Sequence, residues 1–236
     1  MNFVRSIAIA AALITAQGAS ATQLITNGGF ESGLSAWTVT DLAGGNGTWY
    51  AASGTVAPFS SLTTVGPFAG SSYAVTDQGG PGTHALTQSF SVAPGASSVL
   101  LSFQMFVNSY GGTAGNGGVL NHTGGGVELG RVDLLTGAAG AFDTGAGVIS
   151  NLFSGNDTGN NPNPYTAYSF DITSLVSSGG AFQLRFAESD NQGFFNMGVD
   201  NVSINATANA VPEPGSLALI GLGLFGMVFL RKRMQA

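Results

Sequence analysis

The chain has 236 residues, carries a formal net charge of −6, and contains 37 glycines and no cysteine. The absence of cysteine excludes disulfides, thiol catalysis and cysteine zinc sites. Between Thr22 and Ala210 the only cations are Arg131 and Arg185, and eleven acids against two arginines leave −9; with no basic patch to displace phosphate counterions, nucleic acid is excluded as a partner.

Met1–Ala21 has one early positive charge, Arg5, an apolar stretch from Ile7 to Ile14, and the small-residue sequence Ala19-Ser20-Ala21. This order reads as a secretory signal peptide cleaved after Ala21, so it is left out of the fold. Residues 22–204 are then long enough for one well-buried domain. Its glycines cluster at Gly44–Gly47, Gly79–Gly82, Gly111–Gly118 and Gly124–Gly126, which mark turns and loops.

Period-two alternation dominates between those clusters. Leu86, Phe90 and Val92 share one face of a strand that ends at Pro94-Gly95. The next strand puts Val99, Leu101, Phe103, Met105 and Val107 on one side. Val127 and Leu129 lie in one phase and Val132 and Leu134 in the other, which predicts a bulge or break at Gly130. Asp171–Val176 reads as one short helical turn, and Phe182, Leu184 and Phe186 alternate with Gln183 and Arg185. Many short strands with glycine-rich turns predict an all-β fold, an antiparallel β-sandwich of jelly-roll type with Leu101, Phe103, Met105, Leu184 and Phe186 between its sheets.

Leu24-Ile25-Thr26-Asn27-Gly28-Gly29-Phe30-Glu31 with Trp37 opens the domain, and Gly198-Val199-Asp200-Asn201-Val202-Ser203-Ile204 closes it. With Leu86–Phe90 and Pro94-Gly95 between them, these segments resemble the galactose-binding-like jelly roll of many carbohydrate-binding modules. The resemblance implies adjacent first and last strands and a structural Ca²⁺ between them, with Glu31 and Asp200 at ligand positions and Asn27 a weaker candidate. On periodicity Asp200 shares the side of Val202 and Ile204, where a carboxylate needs a partner. A cation and a set of backbone N–H groups are both open as that partner.

Other constellations are weaker. His84 and His122 read as solvent-facing loop residues rather than zinc ligands, and Glu128 and Glu188 as carboxylates on solvent faces rather than a glycosidase pair. Ser189-Asp190-Asn191 lacks the companion motifs of a β-lactamase. Among the aromatics, Trp37 reads as core. Trp49, Tyr50 and Tyr110 flank glycine-rich loops and are the glycan-contact candidates, with Phe194 in the wider pool.

After a small polar linker at 205–210 comes Val211-Pro212-Glu213-Pro214. The apolar run Gly215–Leu230 follows, and the basic cluster Arg231-Lys232-Arg233 stands near the end. As a helix the 16-residue run spans roughly 24 Å, a little short of a hydrocarbon core of about 30 Å, with its basic flank on the cytoplasmic side. The order of motif, apolar helix and basic cluster resembles the PEP-CTERM sorting signal of exopolysaccharide-producing Gram-negative bacteria; a plain membrane anchor is the alternative. The resemblance implies an inner-membrane intermediate, processing by an exosortase, and delivery to the cell surface or extracellular matrix. A non-enzymatic surface protein, glycan-binding or structural and linked to the exopolysaccharide layer, is the leading expectation. A secreted polysaccharide hydrolase is the rival.

Overall fold

The computed structural model describes residues 20–111, 118–156 and 159–208, and its compact unit is Ala21–Ala208. Of the expected signal peptide Met1–Ala21 only Ser20 and Ala21 are among these residues, and the motif Val211–Pro214, the apolar run and Arg231–Arg233 lie outside them.

The domain is an antiparallel sandwich of two sheets. One sheet holds, in spatial order, β3 (Thr48–Ala52), β4 (Tyr73–Asp77), β11 (Phe195–Ala208), β6 (Ala96–Ser109) and β9 (Thr166–Asp171), with β1 (Ala21–Gln23) also on β11. The other holds β2 (Thr38–Asp41), β5 (Gly82–Val92), β10 (Gly180–Asp190), β7 (Glu128–Thr136) and β8 (Val148–Gly155). The expected short helix is present as α1 (Thr173–Val176), one turn before β10.

The alternating apolar positions meet between the sheets as expected. Leu101, Leu184 and Phe186 are 0% exposed, and Phe103 and Met105 1%. Burying one such side chain fully contributes about 1.5–3 kcal/mol, so these rows hold the sheets face to face. The predicted irregularity at Gly130 is absent from the β7–β10 ladder, which runs unbroken from Glu128↔Asp190 to Thr136↔Phe182. The two apolar phases have another cause: β7 is buried on both faces, with Val132 and Leu134 toward the core and Leu129 and Leu135 equally covered on the far side.

That far side is covered by chain segments pinned through the domain's two arginines. Asp133 on β7 accepts from Arg131 Nε at 2.9 and 2.8 Å, and from Arg185 Nη2 at 2.6 Å on neighbouring β10. Arg131 Nη1 then donates to Gly118 O, and Arg185 Nη1 to Ala141 O and Asp143 O. One buried carboxylate thus orients two forks, each of which holds a covering segment by its carbonyls.

β11 fixes the two poles of the domain. Its 14 residues span roughly 40–45 Å at about 3.3 Å each. At its end Asn205–Thr207 pair with Gln23–Ala21 of β1 on one side and with Leu100–Ser98 of β6 on the other. The segment expected to be a linker is therefore strand as far as Ala208. The chain enters at Ala21 and leaves after Ala208 at the same pole. The opposite pole gathers the start of β11, the ends of β4, β6 and β10, and the starts of β5 and β7.

Candidate functional site

The opening turn and the last strand meet as the sequence implies, but not by the expected periodicity. Asn201 has φ of 50° and the β6–β11 register shifts between Asp200 and Ser203. This bulge keeps Val199, Val202 and Ile204 in the core while placing Asp200 apart from them, beneath the 66–72 loop. Its Oδ2 accepts from the N–H groups of Phe68 and Ala69 at 2.9 and 3.0 Å, and Oδ1 from Asn201 at 2.7 Å. Burial raises the Asp200 carboxyl above its ordinary range, the three N–H groups oppose that, and the like charge of Glu31 adds to it. Glu31 grips the same loop from the other side, its Oε1 accepting from Ser71 and Ser72 at 2.9 and 3.0 Å.

Asn27 does not join them. Its amide donates to Gly33 O and Ser35 O, and its Oδ1 accepts from Ser32 N–H. It shapes the opening turn, in which Phe30 packs on Trp37 with ring centroids 5.4 Å apart. Among the described residues no group of three or more His, Asp and Glu side chains is arranged to hold a metal.

The three aromatic candidates separate. Trp49 is 3% exposed and belongs to the main core, because β3 pairs along all of β4 and alternation turns its second residue inward. It is not a surface ring. Tyr50 turns the other way and is half-buried against the small cluster of Ala52, Tyr73, Val75 and Phe106. Tyr110 alone of the three stands out, 40% exposed.

Tyr110 has a neighbour that the sequence did not single out. Its N–H donates to Phe194 O at 2.9 Å, extending the β6–β11 ladder one pair beyond Ser109↔Phe195. Phe195 is buried, so alternation turns Phe194 outward, and it is 41% exposed. Both residues flank glycines, Gly111 and Gly193, and these two backbones pack so closely that a Cβ on Gly193 would lie 3.0 Å from Gly111 Cα. The Tyr110 hydroxyl donates to Thr63 O, and Phe59, 56% exposed, sits in the same loop as Thr63. The pole opposite Ala21 and Ala208 therefore carries an aromatic tip.

Beneath the tip lies a buried acidic cluster, two of whose members, Glu128 and Glu188, were expected on solvent faces. Glu128, Glu188 and Asp190 are each 0% exposed. They share the inward phase of β7 and β10, where Asp190 pairs with Glu128, and Glu188 with His84 on the other side. At this pole the facing sheet supplies polar groups rather than apolar ones. Gln78 Nε2 donates to Glu188 Oε2 at 3.3 Å and to Asp190 Oδ2 at 3.1 Å.

The histidines are buried too, contrary to expectation. The 42–48 turn folds back over β5, so His84 Nδ1 meets Asp41 Oδ1 at 2.7 Å and Nε2 meets Asn46 O at 2.9 Å. His122 meets Thr83 Oγ1. Burial pushes the Glu188 carboxyl well above the ordinary glutamate range, with Asp190 and Glu128 adding to the push. A glycosidase pair needs carboxylates open to a substrate bond, and Glu128 and Glu188 are closed to one.

A family model for the PEP-CTERM protein-sorting motif matches residues 210–233, so the tail is a sorting signal of that kind. No curated protein matches the chain. Among solved structures it is similar to a family 61 carbohydrate-binding module in complex with β-1,4-galactotriose, at 11% identity and TM-score 0.47, covering 78% of this chain and 97% of that one. It is also similar to the K3 cleaved adhesin domain of Lys-gingipain from Porphyromonas gingivalis, at 15% identity and TM-score 0.48, covering 79% and 99%. A Stig cyclase from Fischerella sp. TAU matches at 16% identity and TM-score 0.47, covering 80% and 100%. A binding module, an adhesin and a cyclase at these levels assign no ligand or activity to this chain.

Proposed function

We propose that this protein is an exported, exosortase-sorted component of the cell surface or extracellular matrix, and that its sandwich contacts neutral glycan without catalysis. The observation that carries the glycan reading is the pair Tyr110 and Phe194, two exposed rings on adjoining strand ends at the pole farthest from where the chain leaves the domain. Adjacent exposed aromatics offer apolar faces with a polar handle, suited to the C–H faces of a pyranose. A net charge of −9 over residues 22–210 favours an uncharged polymer over an anionic one.

Affinity electrophoresis of the domain in gels containing neutral polysaccharides (cellulose derivatives, galactan, mixed-linkage glucan) tests this reading. Retardation by at least one is expected, weakened about tenfold or more by Tyr110→Ala or Phe194→Ala, a loss of about 1.4 kcal/mol. Unretarded wild-type protein in every gel, or an unaffected double variant, contradicts it. No release of reducing ends is expected, since Glu128 and Glu188 are shut in.

Calcium enters the same reading as a structural ion held by Glu31 and Asp200. Support comes from the way the two carboxylates converge on the 66–72 loop and from the like-charge push of Glu31 on Asp200, which a cation relieves. Calcium takes several oxygens, backbone carbonyls among them. Chelator is then expected to lower the melting temperature of the domain and Ca²⁺ to restore it, an effect of about 2.7 kcal/mol at a hundredfold excess over Kd. Asp200→Ala should abolish the response. A melting temperature indifferent to chelator means that the five backbone N–H groups suffice.

A further inference from the structure

The acidic cluster does more than fill the distal end of the core, because it holds both strands of the aromatic tip by their backbones. Glu128 Oε1 accepts from Gly111 N–H at 3.0 Å, directly after Tyr110. Asp190 Oδ1 accepts from Gln192 N–H at 2.9 Å, two residues before Phe194. A Cβ on Gly111 would lie 2.6 Å from Glu128 Oε2 and 2.7 Å from Gln192 O, so the two tip segments and the carboxylate are packed against one another with no room to spare.

The cluster as a set of carboxylates is short of donors. Glu188 Oε1 and Gln78 Oε1 are buried with no hydrogen-bond partner, whereas Glu128 has the Ser109 hydroxyl beside it. Buried acceptors in native proteins are almost always paired. A protonated carboxyl is a donor, so a proton on Glu188 converts one of these two unpaired acceptors into a donor, and the other is an acceptor in the same cluster.

We infer that Glu128, Glu188 and Asp190 form a proton-operated clamp under the tip, closed while the cluster holds its protons and opened when it loses them. The groups that face Glu188 are Asp190 on its own strand, Glu128 on β7, His84 on β5 with Asp41 of β2 behind it, and the neutral amide of Gln78 after β4. His84 Nε2 lies 3.6 Å from Glu188 Oε1.

The geometry sets the sign. Burial raises all three carboxyls above their ordinary ranges. Such groups give stability that is complete below their unfolded pKa values and lost as pH rises through the folded ones. Ionisation places like charges on adjoining strands in a buried site, and the relief lies in releasing the segments at 110–111 and 191–194. The clamp regulates the glycan tip proposed above and rests on that reading for its purpose, but its test needs no glycan.

Amide hydrogen exchange of the mature domain, measured without glycan and with chelator present, reads the clamp at Gly111, Gln192 and Gly193 against the core amide of Leu184. After correction for intrinsic exchange, protection at the three tip amides is expected to fall about tenfold or more between about pH 5 and about pH 8, a tenfold change being the effect of one pKa unit. Glu188→Gln and, independently, Glu128→Gln should each flatten that dependence. Tip protection that is flat in the wild type, or equally steep in both variants, overturns the clamp. A domain that shows the pH response yet binds no polysaccharide keeps the clamp and loses the glycan reading; one that binds polysaccharide equally well with flat tip protection does the reverse.

Discussion

Replacing Arg185 with alanine is expected to lower the stability of the domain by about 3–5 kcal/mol, because it breaks a buried ion pair and leaves a buried carboxylate with half its donors. Asp133 is 0% exposed and receives three nitrogens from the two arginines and one from Asn151. Without Arg185 it loses two of those donors, and the carbonyls of Ala141 and Asp143 lose theirs. Arg185→Lys retains the charge but not the planar fork that reaches a carboxylate and two carbonyls at once, so it should fall between wild type and alanine. Urea unfolding measures this as a lower midpoint with an unchanged slope. A loss below about 1 kcal/mol, as for exposed pairs, would show that the network contributes no more than a surface ion pair.

Phe103→Ala should cost a similar amount, about 3–5 kcal/mol, for a different reason. The ring sits at the centre of the inter-sheet aromatics, 5.1 Å from Phe186 edge-on, 5.1 Å from Tyr168 in a stack and 6.1 Å from Phe170. Truncation removes the apolar burial and leaves a void that rings on both sheets border. Phe103→Leu keeps most of the volume and should cost clearly less. Equal losses for Ala and Leu would mean that the aromatic geometry, not the filling of space, is what matters there.

The strands and the core were legible because one face of each central strand is packed and the period of two is clean. Leu101, Phe103, Met105, Leu184 and Phe186 all lie where alternation puts them. Legibility failed where burial follows from what covers a strand rather than from the strand itself. Glu128, Glu188, His84 and His122 are polar, and the two histidines lie close to glycines, yet all four are buried, because returning turns and the facing sheet close over them. Asp200 was misplaced by one residue of bulge at Asn201, which no alternation pattern signals. Of the aromatic candidates, Tyr110 was legible from its glycine-flanked position, while Phe194 needed the β6–β11 register to bring it alongside.

The same register places the two ends of the exported domain together. Thr22, the expected mature N-terminus, pairs with Ala206, and Gln23 Oε1 accepts from Ile25 N–H and Ile204 N–H at 3.0 and 2.8 Å, stitching the entry strand to the exit strand. The strand stops at Ala208, two residues before the matched sorting motif begins at residue 210. The expected cleavage after Ala21 removes only the first residue of the exposed edge strand β1 and leaves Thr22 and Gln23 paired to β11.

Intact-mass analysis of protein released from the cell surface tests the central claim, that both ends serve delivery and are removed. The account predicts a chain that begins at Thr22 and lacks the apolar run and Arg231–Arg233, with unprocessed precursor accumulating in the inner membrane when Pro212, Glu213 and Pro214 are replaced by alanine. A surface protein whose mass retains Arg231–Arg233 would contradict it.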